Sequence, residues 1–171
     1  MNCTTTYASP IGNIDIESTE HGITKLSFVS VNHPPDQTHP EGLLDCIQQL
    51  DEYFEGSRTA FDLPIDLSAL PPFHKEVLKV VMTIPYGRTR SYKQIASFLG
   101  NPKAARAVGQ ANGNNPIAII IPCHRVIGKQ GQLTGYAYGL STKMKLLQVE
   151  NPQHYYPQIK MFEEAGVANS V

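Results

Sequence analysis

The chain has 171 residues, of which 41% are apolar and 17% are charged, and its formal net charge is −1. This composition supplies enough apolar surface for a packed core and excludes a wholly disordered chain, and no apolar run is long enough to span a membrane. The N-terminus lacks the basic cluster and apolar stretch of a secretory signal, and three scattered cysteines are too few for a disulfide framework. We therefore expect a soluble protein of the cytoplasm or nucleus with reduced thiols.

The charges are divided unevenly along the chain. Residues 1–71 carry two Lys/Arg and eleven Asp/Glu, a formal charge of −9, whereas residues 72–150 carry eleven Lys/Arg and two Asp/Glu, a formal charge of +9. This asymmetry predicts two modules, of which the second faces a polyanion. A chance distribution, or two halves that attract each other, would give the same numbers.

The first module begins with β-like patterns and continues with a helical one. Residues 5–19 and 21–31 predict strands. After a polar, proline-rich loop, residues 43–56 place apolar side chains at helical spacing, with Cys46 near the apolar stripe as a small buried thiol. Residues 61–70 could add one more short strand. The first module is therefore predicted to mix strands and a helix.

The second module is predicted to be mainly helical. It begins at the prolines Pro71 and Pro72, and an amphipathic helix follows from Phe73 to the turn at Pro85. Near the other end, residues 141–151 predict a last helix that begins with Ser141 as a cap. The tail beyond it has no clear period.

Two short helices around a glycine-containing turn lie between these helices. Ser91, with Gln94 three residues later, matches the capping-box pattern, and Pro102 can open the second helix, Lys103 to Ala111. Such a helix-turn-helix pattern often reflects packing alone, but within the basic half of the chain it favours DNA binding.

An apolar run, Ile117 to Ile121, predicts a buried segment that delivers Cys123 to its end. A cysteine, a histidine and a carboxylate can form a relay of nucleophile, base and orienting group. Because the side chains of Cys123 and His124 diverge, a water is the expected link between them. The alternative is a buried structural cysteine beside an exposed His124 and Arg125. The spacing of cysteines and histidines predicts no metal site, and nucleotide-binding fingerprints are absent, so we expect no cofactor.

These motifs together resemble the O6-alkylguanine-DNA alkyltransferase family. The segments that carry the resemblance are Ser91-Tyr92, GNPKAARAVGQA at 100–111, Asn114-Asn115-Pro116 and, above all, IPCHRV at 121–126. The match is strong over residues 73–150 and looser for the N-terminal segments YASPIGNI and GITKLSF. It implies an α/β, ribonuclease-H-like N-terminal domain at residues 1–71. Residues 72–171 would form a mainly α, winged-helix domain that binds DNA and carries the site.

The resemblance also implies a reaction. The alkyl group of O6-alkylguanine, and also of O4-alkylthymine, in double-stranded DNA would pass irreversibly to Cys123 after the base is flipped out from the minor groove. No second cysteine lies close in the sequence to reverse the step, so each molecule would act once. A monomer is implied, in the cytoplasm and at the nucleoid of a bacterium or in the nucleus of a eukaryote. No metal is implied.

Each candidate site residue takes a role from the same resemblance. Cys123 is the acceptor, His124 the water-linked base, Glu150 the carboxylate that orients it, Asn115 a group that positions the thiol, and Tyr92 the donor to the leaving guanine. The residues implied for DNA contact are Arg106, which fills the gap left by the flipped base, with Tyr92, Ala104, Ala105, Gly109 and Arg125. The implied pocket residues are Val126, Gly135, Tyr136, Ala137 and Tyr138.

Tyr138 stands where some relatives have glycine. We hypothesise a narrow pocket that accepts O6-methylguanine well and bulky O6-benzyl groups poorly. Two other classes of function remain compatible with the residues themselves. One is a non-catalytic lesion binder or helix-turn-helix regulator, and the other is a hydrolase that uses Cys123 and His124.

Overall fold

The computed structural model describes residues 2–155. The chain divides into two compact units, one formed by the residues up to Leu70 with Pro116–Ile120, the other by Pro71–Asn115 with the residues from Ile121 onward. No helix within the described residues is both long and apolar enough to cross a bilayer. The predicted tail, residues 151–171, lies mostly outside the described residues.

The first unit is built on an antiparallel sheet of three strands in the order β1, β2, β3. The strands are β1 (Cys3–Ser9), β2 (Gly12–Thr19) and β3 (Gly22–Phe28). Gly22 has a φ of +132°, and a Cβ there would lie 2.5 Å from the carbonyl oxygen of Pro64, so this turn requires glycine. The strand predictions are confirmed with one difference: residues 5–19 divide between β1 and β2 at the turn after Ser9, and residues 21–31 contain β3.

Helix α1 (Leu44–Phe54) confirms the helical prediction for residues 43–56. The hydroxyl of Tyr7 on β1 donates to Asp51 on α1 at 2.6 Å, and Cys46 is buried as expected. The predicted strand at residues 61–70 is wrong, because this segment makes only one isolated parallel bridge, between Ile65 and Ile23. Its one proline, Pro64, has no N–H group to donate to a longer ladder.

The segment Pro116–Ile120 belongs to the first unit. The amide of Leu26 donates to the carbonyl of Pro116 at 2.9 Å, and the amide of Ala118 donates back to the carbonyl of Leu26 at 2.8 Å. The segment is buried, as the apolar run predicted, but it is not a regular strand, because Ile119 has a φ of +69°. The chain then re-enters the second unit two residues before Cys123.

The second unit is mainly helical, as predicted. Its elements are α2 (Pro72–Met82), β4 (Arg90–Ser91), α3 (Tyr92–Phe98), α4 (Ala105–Gly113), β5 (Val126–Ile127) and α5 (Leu140–Glu150). The short strands β4 and β5 pair in parallel. The capping box of α3 is confirmed, since the Ser91 hydroxyl accepts from the Gln94 amide at 3.1 Å and the Gln94 side chain accepts from the Ser91 amide at 2.8 Å.

Two starts of helices differ from the prediction in detail. The second helix of the pair begins with a 3-10 turn, Pro102–Ala104, before α4. Helix α5 begins at Leu140, directly after Gly139 at a φ of +90°, and no side chain caps it. The predicted cap at Ser141 is therefore wrong, because the left-handed glycine already sets the entry of the chain one residue earlier.

Candidate active site

Cys123 lies at the start of a 3-10 turn, Cys123–Arg125, directly after the buried Ile121 and Pro122. The turn is tight, so three consecutive side chains leave it in different directions. Cys123 is 4% exposed, and its sulfur donates to the hydroxyl of Tyr136 at 3.9 Å. The nucleophile candidate is thus enclosed rather than displayed on the surface.

Two asparagines at the end of α4 hold the backbone around this cysteine. The side-chain amide of Asn115 donates to the carbonyl of Ile121 at 2.9 Å, and that of Asn112 donates to the carbonyl of Cys123 at 3.2 Å. Asn115 also hydrogen-bonds the thiol. Sequence reasoning singled out Asn115 and missed Asn112. Its position in the sequence could have identified Asn112, because it lies four residues after the buried Val108 and therefore on the inner face of the helix.

The pKa of the Cys123 thiol is raised above its ordinary value, because burial disfavours the thiolate. The hydrogen bonds from Asn115 and Tyr136 and the charge of Lys143 act in the opposite direction. In the absence of substrate the group is therefore mainly a thiol, and its use as a nucleophile requires a base.

His124 and Glu150 form a fully buried pair. Nε2 of His124 lies 2.6 Å from Oε1 of Glu150, and both side chains have 0% exposure. Because a carboxylate can only accept, Nε2 carries the proton and Nδ1 is left with a lone pair. Nδ1 is buried and has no hydrogen-bond partner among the described residues. The imidazole is thus arranged as a proton acceptor whose orientation Glu150 fixes.

The protonation states of the pair follow from their surroundings. Burial lowers the pKa of His124, and the positive charges of Arg125 and Lys143 add to this effect against the opposing influence of Glu150. Burial alone would raise the pKa of Glu150, but His124 and Arg125 bring it well below its ordinary range. The site therefore holds a carboxylate and a neutral histidine.

The structure corrects the prediction that Arg125 contacts DNA. Arg125 is 7% exposed, and its guanidinium donates to both carboxylate oxygens of Glu150, at 2.8 and 2.9 Å, and to the carbonyl of Ile84 at 2.6 Å. These bonds hold the guanidinium inside the second unit, away from its surface. The resemblance that implied the contact does not show burial, and the carboxylate of Glu150, 25 residues further along the chain, is what holds this arginine inside the unit.

Lys143 is a second site residue that sequence reasoning missed. It is fully buried on α5, and its ammonium donates to the carbonyls of Val126 at 2.6 Å and Thr134 at 3.1 Å. Burial lowers its pKa to about 8, although the charge of Cys123 acts to raise it. The helical spacing could have indicated its burial, since Lys143 lies four residues before the buried Leu147 and so on the inner face of the helix.

The loop 133–139 contributes unevenly to the surroundings of Cys123. Val126 is fully buried in β5, and Tyr136 and Tyr138 are half-buried with their rings edge to face at 5.5 Å. Burial, with the charge of Cys123, raises the pKa of Tyr138 to about 12. The predicted pocket residues Gly135 and Ala137 are exposed instead.

The predicted DNA-contacting residues of the helix-turn-helix differ in exposure. Arg106 on α4 is exposed and forms no ion pair among residues 2–155, whereas Ala104 and Ala105 are half-buried. A Cβ at Gly109 would lie 3.5 Å from the ring of Tyr92. The Tyr92 hydroxyl in turn accepts from Thr134 at 3.3 Å, which places it beside the loop that leads to Tyr136.

No group of His, Cys, Asp and Glu within the described range of the chain is arranged to hold a metal ion. The groups that surround Cys123 offer acid–base and nucleophilic chemistry: a buried thiol, a neutral imidazole and a carboxylate.

Comparisons with known proteins agree with this geometry. The family model described as "6-O-methylguanine DNA methyltransferase, ribonuclease-like domain" matches residues 2–67, and the one described as "6-O-methylguanine DNA methyltransferase, DNA binding domain" matches residues 72–152. A methylated-DNA–protein-cysteine methyltransferase of Mycobacterium tuberculosis (strain H37Rv) is 46% identical over 149 residues, covering 85% of this chain and 90% of that protein. A constitutive one of Bacillus subtilis (strain 168) is 44% identical over 160 residues, covering 88% and 96%.

Solved structures give the same result. A crystal structure of the M. tuberculosis protein in complex with DNA superposes with a TM-score of 0.78 at 44% identity, covering 89% of this chain and 94% of that one. A crystal structure of an O6-methylguanine-DNA methyltransferase from the archaeon Pyrococcus kodakaraensis has a TM-score of 0.54 at 21% identity, and this match concerns the fold alone.

Proposed function

The chain belongs to the 6-O-methylguanine DNA methyltransferase family, and on that premise we propose that Cys123 accepts the alkyl group in direct-reversal repair of O6-alkylguanine in DNA. The observation that carries this assignment is the buried His124–Glu150 pair, in which the residue next to Cys123 is fixed as a neutral proton acceptor. The other two cysteines lie in the first unit, away from any such pair.

The reaction is a displacement at the alkyl carbon. A bond forms from the Cys123 sulfur to that carbon, and the bond from the carbon to O6 of guanine breaks. The thiol proton passes through a bridging water to Nδ1 of His124. The Tyr92 hydroxyl donates its proton to the guanine, which makes the base a better leaving group, and Tyr92 then regains a proton from solvent while His124 releases one. The products are a thioether on Cys123 and unmodified guanine, so each molecule acts once.

The environment of the thiol supports this use of a base. Burial keeps Cys123 protonated, which prevents a loss of the nucleophile to side reactions before DNA is bound. Asn115 and Tyr136 both hydrogen-bond the sulfur, and both would stabilise the thiolate as the proton leaves.

Double-stranded DNA is the partner that the basic half of the chain favours. In the proposed complex the small residues Ala104, Ala105 and Gly109 allow close approach to the minor groove, and Arg106 fills the space of the flipped nucleotide. The exposure of Arg106 supports this assignment. The same pocket would admit O4-alkylthymine.

The proposal extends to the fold and the assembly. The domain division at 1–71 and 72–171, with a ribonuclease-H-like first domain and a winged-helix second domain, is supported by the two family models and by the paired strands β4 and β5. We propose a monomer that acts at the nucleoid in the cytoplasm. A sedimentation experiment that shows a stable dimer would contradict the monomer.

A narrow pocket is proposed for the alkyl group, because Tyr138 packs edge to face on Tyr136, whose hydroxyl lies 3.9 Å from the sulfur. Tyr138→Gly should increase the rate with O6-benzylguanine relative to O6-methylguanine, and Ala137→Gly, at an exposed neighbour, should not. An unchanged preference in Tyr138→Gly would contradict the narrow pocket.

Replacing Cys123 by serine tests the function itself. Cys123→Ser should abolish transfer of a labelled methyl group from a duplex with O6-methylguanine while leaving binding to that duplex intact. Cys3→Ser and Cys46→Ser are the matched controls and should transfer normally. Transfer by Cys123→Ser would contradict the assignment. Wild-type binding without transfer would indicate a lesion binder, and ester or peptide turnover would indicate a hydrolase.

A further inference from the structure

We infer that Arg125 is a positioning residue of the transfer reaction, which holds Glu150 in place and, by neutralising its charge, keeps His124 as a neutral base for Cys123. The inference rests on the proposed function, since it concerns the base that the transfer step uses. It replaces the DNA contact that the sequence predicted for Arg125.

The guanidinium of Arg125 occupies a site built for it. Nε donates to one carboxylate oxygen of Glu150 at 2.8 Å and Nη2 to the other at 2.9 Å. This is the bidentate geometry of a strong arginine–carboxylate pair. Nη1 donates to the carbonyl of Ile84 at 2.6 Å, and the guanidinium carbon lies 5.8 Å from the ring centroid of Tyr86. The ring is itself fixed, because its hydroxyl donates to the carbonyl of Val149 at 3.2 Å.

These contacts set the position of the carboxylate from three directions. Glu150 also accepts from the amide of Gly87 at 3.2 Å and from Nε2 of His124 at 2.6 Å. A carboxylate with this many donors has one stable orientation, so the imidazole that depends on it has one as well. Arg125 therefore acts on His124 through Glu150, although it follows His124 directly in the chain.

Charge balance supplies the second part of the inference. Arg125 and Glu150 together form a neutral buried pair, so a proton on His124 would leave an uncompensated positive charge in the interior, which is costly. If a neutral side chain replaced Arg125, the carboxylate of Glu150 would lack a positive partner. Protonation of His124 would then supply that partner, so the charged form of the histidine would be favoured. The groups that face this cluster are Lys143 on α5, which adds positive charge, and Tyr86 and Tyr155, which lie near Glu150.

The test is the pH dependence of single-turnover methyl transfer in Arg125→Met and Arg125→Lys. With methionine, the acid limb of the rate profile should move upward by about one pH unit or more, because His124 stays protonated to higher pH, and the rate at neutral pH should fall about tenfold or more. Arg125→Lys keeps the positive charge, so the acid limb of its rate profile should stay close to that of the wild type. Lys145→Met removes an exposed charge from α5, the helix that carries Glu150, and should leave the acid limb at its wild-type pH.

Other outcomes would overturn the inference. A rate that falls equally at every pH would assign Arg125 a purely structural role. Unchanged kinetics with weaker DNA binding and a salt slope reduced by about one would restore the phosphate contact. Wild-type protein that transfers no methyl group would refute the proposed function instead, and this outcome is distinct from both.

A measurement on the wild-type protein covers the case in which Arg125→Met does not fold. Nitrogen-15 NMR of labelled histidines should show His124 as the neutral Nε2–H tautomer from about pH 6 to about pH 8, the range in which an ordinary histidine titrates. An imidazolium at His124 near pH 7 would contradict the inference.

Discussion

At the scale of single residues, the buried ammonium of Lys143 links α5 both to β5 and to the loop 133–139. Its two acceptors are the carbonyls of Val126 at 2.6 Å and Thr134 at 3.1 Å. Charge-assisted hydrogen bonds of this kind contribute about 1.5–3 kcal/mol each. Lys143 thus helps to hold the loop that carries Tyr136 against Cys123.

The lowered pKa of Lys143 predicts a pH-dependent stability. The folded protein releases the proton at about pH 8, whereas an unfolded lysine releases it at about pH 10.4. Between these values the unfolded state binds more protons, so the free energy of unfolding that Lys143 contributes should rise with pH. Urea denaturation should show wild type gaining about 1 kcal/mol or more over Lys143→Met between about pH 8 and about pH 10.

Lys145→Met serves as the control for this measurement, because Lys145 is exposed on the same helix. The difference between wild type and this variant should stay constant over the same pH range. A constant difference between wild type and Lys143→Met would mean that Lys143 is not desolvated as the structure indicates.

At the scale of elements, the start of α3 depends on its capping box. Ser91→Ala removes the acceptor for the Gln94 amide and should lower the free energy of unfolding by about 1 kcal/mol. Ser97→Ala changes an exposed serine in the same helix and should have little effect or a slight stabilising one. Equal destabilisation by both would show that the cap contributes nothing.

The sheet and helix of the first unit are joined by a partly buried polar contact. Tyr7→Phe leaves the carboxylate of Asp51 without its 2.6 Å donor and should destabilise the protein by about 1–2 kcal/mol. The effect should disappear in the background of Asp51→Ala, which removes the acceptor, if the pair is the cause, and a double-mutant cycle measures this. Additive effects would contradict this reading.

The elements that the sequence predicted correctly share a physical feature. Strands β1 to β3, helix α1 and the capping box of α3 are determined by local periodicity and by side chains close in the chain. The predictions of a strand at 61–70 and of a cap at the start of α5 were wrong. The first depends on pairing with a distant strand, and the second on a left-handed glycine.

The site could be predicted in part for the same reason. Cys123 and His124 were found because they are adjacent in a motif. The burial of Arg125 and the role of Lys143 were not, because each depends on partners many residues away, such as Glu150 for Arg125 and Val126 for Lys143.

At the scale of the whole molecule, the division of charge predicts how the protein meets DNA. Binding to an undamaged duplex should weaken steeply as salt rises, because lysines and arginines of residues 72–150 replace counterions on the phosphates. Titrations at several salt concentrations, followed by fluorescence anisotropy, give the slope. Lys103→Gln, at an exposed position before α4, should reduce the slope by about one, whereas Lys25→Gln in the first unit should not.

The central claim is that Cys123 itself carries away the alkyl group, and one mass spectrum tests it most directly. The intact protein and its peptides are measured after incubation with a duplex that contains a single O6-methylguanine. The account predicts a gain of one CH2 on the peptide with Cys123, saturating at one per molecule, and no gain on the peptides with Cys3 or Cys46. A methyl group on another residue, or an unmodified protein beside repaired DNA, would contradict it.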